Sequence, residues 1–196
     1  MRKFLSKTVM LLALLPCCVA PLKAADDTPA PTGPYVTPSV DVSVRYELVA
    51  PDGRGVVHQT MRWQAASLRQ RIDLDTASVY MITSWRDHTL TVVDTLGQRR
   101  SVMPAPGREL TPPGRIPDGT FSRLDTAMVA GQFCTNWRTT DDSGHQSDAC
   151  YTPDGILLQV MQKGQITARA LSVTREVQPD SVFAVPQDYR PVAPAR

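Results

Sequence analysis

Two cysteines, Cys134 and Cys150, are the residues whose type and spacing point most directly to chemistry in this chain. They stand on either side of the polar, glycine-containing turn 141–145, and the flanking segments 133–139 and 149–152 have the composition of β-strands. A hairpin of these segments brings the two sulfurs within bonding distance, so the sequence predicts a disulfide. The alternative is a reactive or metal-binding thiol pair, but no CxxC motif or nearby second pair accompanies these cysteines.

Histidines and serines add little catalytic or metal-binding chemistry. The three histidines, His58, His88 and His145, lie near predicted turns or on polar strand faces, and their spacing matches no metal site. Ser84, close to Asp87 and His88, forms the one local grouping of a nucleophile with a base, but it lacks the Gly-x-Ser-x-Gly setting and an evident oxyanion donor. We therefore expect a protein that is not an enzyme and has no metal site and no cofactor.

Aromatic, methionine and aliphatic side chains on the predicted strands are candidates for a hydrophobic ligand pocket. In a curved sheet they can line a concave apolar surface, and such side chains adapt to irregular ligands. The candidate pocket residues are Tyr46, Met61, Trp63, Ile72, Leu74, Met81 and Trp85. Plain core packing is the alternative, because periodicity does not distinguish a filled interior from an open pocket.

The N-terminal 24 residues have the three parts of a secretory signal peptide. Basic residues precede the unbroken apolar run 9–15, and a small residue, Ala24, precedes a plausible cleavage point. The apolar run is too short for a permanent membrane anchor, so export and cleavage to the periplasm or the exterior are expected, with no transmembrane anchor afterwards. The alternative is a lipoprotein acylated at Cys17 or Cys18.

The charge of the exported part argues against a nucleic-acid partner. Loss of residues 1–24 removes four basic residues, so 17 basic and 19 acidic residues remain and the net charge is −2. The remaining basic residues are scattered among acidic ones without a basic block. No electrostatic footprint for DNA, RNA or an anionic membrane is present.

Composition divides the exported part into three regions. Residues 25–38 contain four prolines and little to bury, which predicts a solvated, disordered spacer. Residues 39–189 are predicted to form a single β-rich domain, and residues 190–196 a loose tail.

Alternation of apolar and polar residues at period two dominates the chain from residue 40 onward and predicts β-strands joined by short turns. The predicted strands are 40–48, 56–64, 68–74, 79–85, 89–94, 98–103, the two arms of the cysteine hairpin, 156–162 and 165–177. In the last of these the alternation slips by one residue, which predicts a β-bulge near Ala170.

Three segments do not follow this strand pattern. The proline- and glycine-rich residues 103–119 predict a long loop over the sheet. The apolar spacing of residues 121–128 predicts a short helix. The tail near residues 180–185 predicts a helical turn capped by Asp180 or Ser181.

Four short motifs stand out along the second half of the chain: Val129-Ala130-Gly131, Cys134-x-x-Trp137-Arg138, Cys150-Tyr151-Thr152-Pro153-Asp154-Gly155-Ile156 and Phe183-x-Val185-Pro186-x-x-Tyr189. They resemble motifs of exported bacterial proteins of unknown function (DUF4412-like) with a LolA-like fold. The resemblance implies a mainly β (α+β) fold, with a curved antiparallel sheet forming a half-open β-barrel and one or two short helices. Some proteins of this fold hold lipid acyl chains, so a lipid ligand is an expectation by analogy.

Two functions follow as hypotheses. The first is an exported, non-enzymatic binding protein that holds a lipid or another hydrophobic molecule in the concave face of the sheet. The second is an envelope protein-protein interaction or structural module without a small ligand, which meets its partner through the loop 103–119 or a sheet edge.

Overall fold

The computed structural model describes residues 32–50, 52–105, 107, 109–140 and 144–193. These residues form one compact unit. The predicted signal peptide, both candidate acylation sites and the first part of the predicted spacer, residues 25–31, lie outside this range.

Twelve β-strands in the described residues form one curved, open sheet, so the prediction of a mainly β fold with a curved antiparallel sheet is confirmed. In chain order the strands are β1 Val42–Val49, β2 Val56–Gln64, β3 Arg69–Leu74, β4 Val79–Ser84, β5 Thr89–Asp94, β6 Arg99–Pro104, β7 Phe121–Val129, β8 Gln132–Thr140, β9 Gln146–Tyr151, β10 Leu157–Gln162, β11 Gln165–Thr174 and β12 Arg190–Pro191.

Two antiparallel meanders make up this sheet. Strands β1 to β6 pair in sequence order, strands β7 to β11 do the same, and the pairing of β1 with β11 joins the two. The curvature also brings β7 into contact with β11, although these strands are not hydrogen-bonded neighbours. The sheet therefore bends back on itself at the end that carries the cysteines.

The predicted bulge in β11 is confirmed. Arg45 of β1 lies opposite Ser172, but the next residue, Tyr46, lies opposite Ala170, so Leu171 is the extra residue on β11. A second register shift, between Val160 and Met161, interrupts the pairing of β10 with β11. Bulges bend strands and increase their twist, which fits the curvature at this point.

The helix predicted over residues 121–128 is wrong, because this segment is strand β7. It pairs with β8 through a tight turn in which Ala130 (φ 49°) and Gly131 (φ 71°) are both left-handed, as a two-residue hairpin turn requires. Two turns of apolar spacing are too short to hold a helix against this pairing.

Residues 32–38, which we name the strap, correct the prediction of a disordered spacer up to residue 38. In the strap, Gly33, Pro34 and Thr37 are buried. Thr37 Oγ1 donates a hydrogen bond of 2.6 Å to the carbonyl oxygen of Thr111, in the long loop between β6 and β7. The strap is thus ordered because it packs on the sheet and on this loop.

The C-terminal tail packs on the smaller of the two hydrophobic cores, which lies on one face of β4 and β5. Its 3-10 helix, Asp180–Phe183, places Phe183 against Tyr80, Ile82 and Val93. The prediction that Asp180 or Ser181 caps the helix is wrong, because the N-cap is Pro179. Asp180 instead accepts a hydrogen bond from Gln64.

Among the described residues, none of the helical segments has the length and hydropathy that a membrane-spanning helix requires.

The start of the predicted loose tail also needs correction. Strand β12 pairs in parallel with β6, and the amide of Arg190 donates a 2.9 Å hydrogen bond to the carbonyl oxygen of Gln98. Backbone pairing with the last strand of the first meander therefore orders residues that composition alone marks as loose.

Candidate binding site beneath the strap

One face of the sheet, which we name the Tyr46 face, carries the larger part of the hydrophobic core. Alternation along β1 places Val44 and Tyr46 on this face, and the register sets Val44 opposite Met61 and Met61 opposite Ile72. Because side chains alternate between faces, a correct register is enough to gather these apolar residues on neighbouring strands.

A cavity of about 250 Å³ lies on the Tyr46 face. Its walls come from β1, β2, β3, β9, β10 and β11, and the strap borders it through Val36 and Pro38. The residues that line it are Val36, Pro38, Tyr46, Leu48, Gln59, Met61, Gln70, Ile72, Tyr151, Gly155, Leu157 and Ala168. No charged side chain is among these residues, and two glutamine side chains provide most of their polar character.

Two tyrosines on the cavity wall, the buried Tyr46 and the half-buried Tyr151, are neutral. Burial raises the pKa of Tyr46 far above its ordinary value, and the neighbouring Tyr151 raises it further. Burial also raises the pKa of Tyr151. The Tyr46 hydroxyl donates a 2.7 Å hydrogen bond to the carbonyl oxygen of Leu157, so it is satisfied within the wall. This part of the cavity therefore presents aromatic surface to an occupant.

The strap is held over the cavity by hydrogen bonds and by close packing. Trp63 Nε1 donates to the carbonyl oxygen of Pro38 at 2.9 Å, and the amide of Ser39 donates to the carbonyl oxygen of Asp154 at the same distance. Gly155 (φ +86°) lies so close to Thr37 that a Cβ there would collide with the Thr37 carbonyl oxygen. Only glycine lets the strap pass the turn between β9 and β10.

A smaller cavity of about 100 Å³ adjoins the first under the same strap. Val36, Pro38, Met61 and Gln70 line both cavities. The other residues that line the smaller cavity are Thr37, Trp63, Trp85 and Leu110. The strap thus forms a shared roof, and Leu110 brings the loop between β6 and β7 into the wall.

The seven pocket residues predicted from the sequence divide among several places. Tyr46, Met61 and Ile72 line the 250 Å³ cavity, and Met61, Trp63 and Trp85 line its smaller neighbour. Leu74 instead lines a separate cavity of about 170 Å³ beside Tyr80. Met81 pairs with Ile72 across β3 and β4 but is not among the residues that line these cavities.

Sequence reasoning missed the strap residues and the glutamines of the cavity wall. Gln59 and Gln70 lie on the same face of the sheet as Met61 and Ile72. The period-two pattern indicated this position, but glutamine is polar and was not considered for an apolar pocket. Val36 and Pro38 carried no such signal, since their contacts depend on the path of the chain in three dimensions.

The predicted disulfide between Cys134 and Cys150 is confirmed. It links the neighbouring strands β8 and β9, with the two Cα atoms 5.4 Å apart and both cysteines buried. The bridge holds β9 against β8. Strand β9 ends at Tyr151 of the cavity wall, and Gly155 of the same wall follows in the next turn.

A larger, partly open cavity of about 690 Å³ lies at the tips of the last two hairpins, and most of its lining residues have polar or charged side chains. Arg138 and Asp148 line it together with Lys163, and Arg138 donates two hydrogen bonds of 2.7 Å to the Asp148 carboxylate. These bonds are the main reason why the pKa of Asp148 lies below its ordinary value. The Arg138 charge is thus already neutralised by its neighbour.

A serine and a histidine that the sequence offered as candidates for catalysis or metal binding interact with carboxylates of the same fold. Ser84 Oγ donates a 2.5 Å hydrogen bond to Asp87, and His58 Nε2 lies 3.4 Å from a carboxylate oxygen of Glu47. Within the described parts of the chain, no group of three or more His, Cys, Asp or Glu side chains is arranged to hold a metal ion.

Comparison with known proteins relates the chain to solved structures by fold alone. No protein-family model matches it, and no curated protein matches it significantly. An uncharacterised conserved protein from Thermus thermophilus superposes with a TM-score of 0.58 at 8% identity, over 80% of this chain and 91% of that one.

MucB is a second structural neighbour. MucB in the Pseudomonas aeruginosa MucA/MucB complex superposes with a TM-score of 0.55 at 12% identity, over 74% of this chain and 56% of that one. A structure of MucB by itself gives 0.54 at 12% identity, over 77% and 59%. This chain therefore spans somewhat more than half the length of the MucB chains, and the likeness is one of fold.

Proposed function

We propose that the protein is an exported binding protein without enzymatic activity, which holds an apolar group of its ligand in the 250 Å³ cavity on the Tyr46 face. The observation that carries this proposal is the cavity itself: it is partly open to solvent, bordered by the strap, lined by aromatic and aliphatic side chains, and free of charged groups among its lining residues. An apolar group gains about 25 cal/mol for each Å² of surface that it removes from water there.

The size of the cavity defines the ligand more closely. Pockets for drug-sized ligands span about 300–1,000 Å³, so this one suits a single acyl chain better than a bulky molecule. Gln59 and Gln70 on the wall can hydrogen-bond an ester or amide group where the chain meets its head group. A lipid with one inserted chain is therefore the ligand that we propose.

Export to the periplasm or the exterior is part of the proposal. The buried disulfide supports it, since disulfides persist in oxidising compartments, and so does the secretory pattern of the N-terminal residues. We also propose that the chain belongs with the exported LolA-like proteins that its motifs resemble; its curved sheet is the supporting feature. Acylation at Cys17 or Cys18 is retained as the alternative route to the envelope.

The test compares two glutamine substitutions on β3. Ile72 lines the 250 Å³ cavity, whereas Leu74, two residues along the same strand face, lines a different one. With a fluorescent fatty acid as the probe, we expect Ile72→Gln to weaken binding at least fivefold and Leu74→Gln to change it less than twofold. Equal binding by the Ile72→Gln variant and the unaltered protein contradicts the proposal, as does a protein from the periplasm that carries no lipid in native mass spectrometry.

A protein partner is the second candidate function. MucB, one of the structural neighbours, has been crystallised in complex with MucA, which favours a polypeptide ligand for this fold as well. On this chain, Met128 and Phe133 face each other across β7 and β8 and are 58% and 72% exposed. Apolar side chains exposed side by side near a sheet edge are typical of interaction surfaces.

A photo-crosslinking amino acid at position 133 tests this candidate in the periplasm. We expect one discrete protein adduct at that position, and none when the same amino acid replaces Leu96, which is 85% exposed in the turn between β5 and β6. Identical adduct patterns at the two positions argue against a partner surface at Phe133.

A further inference from the structure

We infer that the strap occupies a groove for an uncharged, proline-containing polypeptide segment, and that a segment of a partner protein can take its place. This inference rests on the second candidate function for the idea of a polypeptide partner, but it places the partner in the groove under the strap and not at Met128 and Phe133. It begins from the strap itself, Gly33-Pro34-Tyr35-Val36-Thr37-Pro38, which is seated in the groove as a ligand of the same chain.

The hydrogen bonds that seat the strap are of a kind that many peptides can make. Trp63 Nε1 donates a hydrogen bond to the backbone carbonyl oxygen of Pro38. The backbone carbonyl oxygen of Asp154 accepts a hydrogen bond from the backbone amide of Ser39. Only the bond from Thr37 to the carbonyl oxygen of Thr111 uses a strap side chain. Two of these three contacts are therefore independent of the side chains of the occupant.

The shape of the groove selects for a thin main chain. Gly155 leaves room for the Thr37 backbone, and Gly33 lies where a Cβ would come within 2.6 Å of Ile116 and 3.0 Å of the Phe121 ring. Prolines restrict the backbone of a segment before it binds, so less conformational entropy is lost on docking. Aromatic walls, here Trp63 and Trp85, are typical of proline-recognition grooves.

The strap fills this groove incompletely. Partly open cavities of about 250 and 100 Å³ remain beside Val36 and Pro38. A segment with a larger apolar side chain at the position of Val36 would fill the space that the strap leaves empty. The partner segment should thus bind more tightly than the strap sequence, with an uncharged residue such as leucine at that position.

The experiment uses the full chain and two fluorescein-labelled peptides. One peptide has the sequence of residues 32–39, and the other differs only by leucine at the position of Val36. Val36→Asp in the protein places a carboxylate among the apolar residues of the groove. It should displace the strap, because an unpaired charge in apolar surroundings is strongly unfavourable. Val40→Asp, at a site 37% exposed just outside the strap, is the matched control.

We expect both peptides to bind the Val36→Asp variant at least tenfold more tightly than the Val40→Asp variant, whose own strap competes at a high effective concentration. The leucine peptide should bind at least threefold more tightly than the other. Adding Trp63→Phe to Val36→Asp should weaken both, since the indole donor to the peptide carbonyl is lost. Thr37→Val, which removes only the bond to Thr111, should give a smaller gain if Val36→Asp does not fold.

Equal peptide binding by the strap variants and the control overturns the inference. So does hydrogen exchange that leaves residues 35–39 equally protected in Val36→Asp, Thr37→Val and the unaltered chain, because a strap that cannot leave is not a replaceable occupant. The fatty-acid assay on the Ile72→Gln variant is independent of these peptides. Failure of the peptide inference therefore leaves the lipid proposal standing, and the reverse holds too.

Discussion

Trp63 on β2 and Pro38 in the strap are joined by a hydrogen bond of 2.9 Å from the indole Nε1 to the backbone carbonyl oxygen. The bond ties an N-terminal segment of low sequence complexity to the centre of the sheet. It also satisfies the polar edge of a tryptophan that is only 3% exposed. Through it, the segment that borders the candidate binding site is coupled to the core beneath.

Gly155→Ala is expected to displace the strap, whereas Gly164→Ala is not. Both glycines are left-handed (φ +86° and +76°), so each substitution costs about 1 kcal/mol of stability from backbone strain alone. Only at Gly155 does the added Cβ meet the Thr37 backbone; at Gly164 nothing lies within 4 Å. Hydrogen exchange of residues 35–39 should speed up in the first variant only. Equal exchange in both variants would mean that the strap does not depend on this close approach.

Loss of the disulfide is expected to lower the melting temperature without changing the strand content. The bridge closes a loop across a sequence separation of 16, which is worth about 3 kcal/mol in the chain-entropy model. For a chain of this size the shift is roughly 6–12 °C. Replacing Cys134 and Cys150 together with alanine avoids burying new hydroxyl groups. Thermal melting with and without reductant gives the comparison, and identical curves for the unaltered protein contradict the prediction.

The contribution of Asp154 to stability is expected to disappear in acid. Burial opposes its ionisation, but hydrogen bonds from Arg175 and Thr152 outweigh burial, so its pKa lies below the ordinary value. A carboxyl group with a lowered pKa in the folded state stabilises fully above its unfolded pKa of about 3.9, and this stabilisation is lost as pH falls through the folded-state pKa.

Urea unfolding of Asp154→Asn and of the unaltered protein between pH 7 and pH 3 measures this effect. The stability difference between them should be largest near neutral pH and should shrink toward pH 3. A difference that is constant over this range would show that the carboxylate charge contributes nothing through Arg175.

Arg71→Lys is expected to loosen the C-terminal tail. The Arg71 guanidinium lies 3.8 Å from the centre of the Tyr80 ring and donates a 2.7 Å hydrogen bond to the carbonyl oxygen of Val182. Lysine cannot keep both contacts, so we expect a loss of about 2 kcal/mol. Arg99→Lys, in the exposed pair with Asp94, should cost much less, because exposed ion pairs contribute little to stability. Urea unfolding compares the two variants, and equal losses would argue against a role for the Tyr80 stack.

Local pattern determined the strands, and the reason is geometric. Alternation at period two assigns each residue to a face without reference to distant parts of the chain, so strands β1 to β6 lie within one or two residues of their predicted bounds. The same logic predicted a bulge near Ala170, one residue from the extra residue Leu171, and the cysteine pair, since a slip in period and a short hairpin are both local features.

Only the tertiary structure decided the strap, strand β7 and the division of the predicted pocket. Thr37 and Thr111 are 74 residues apart, and no local sequence pattern predicts the hydrogen bond between them that helps to order the strap. Residues 121–128 carry a weak helical spacing that pairing with β8 overrides. The sequence by itself therefore determined which residues share a face of the sheet; which of them enclose a cavity depended on where the chain crosses that face, because such contacts form between segments far apart along it.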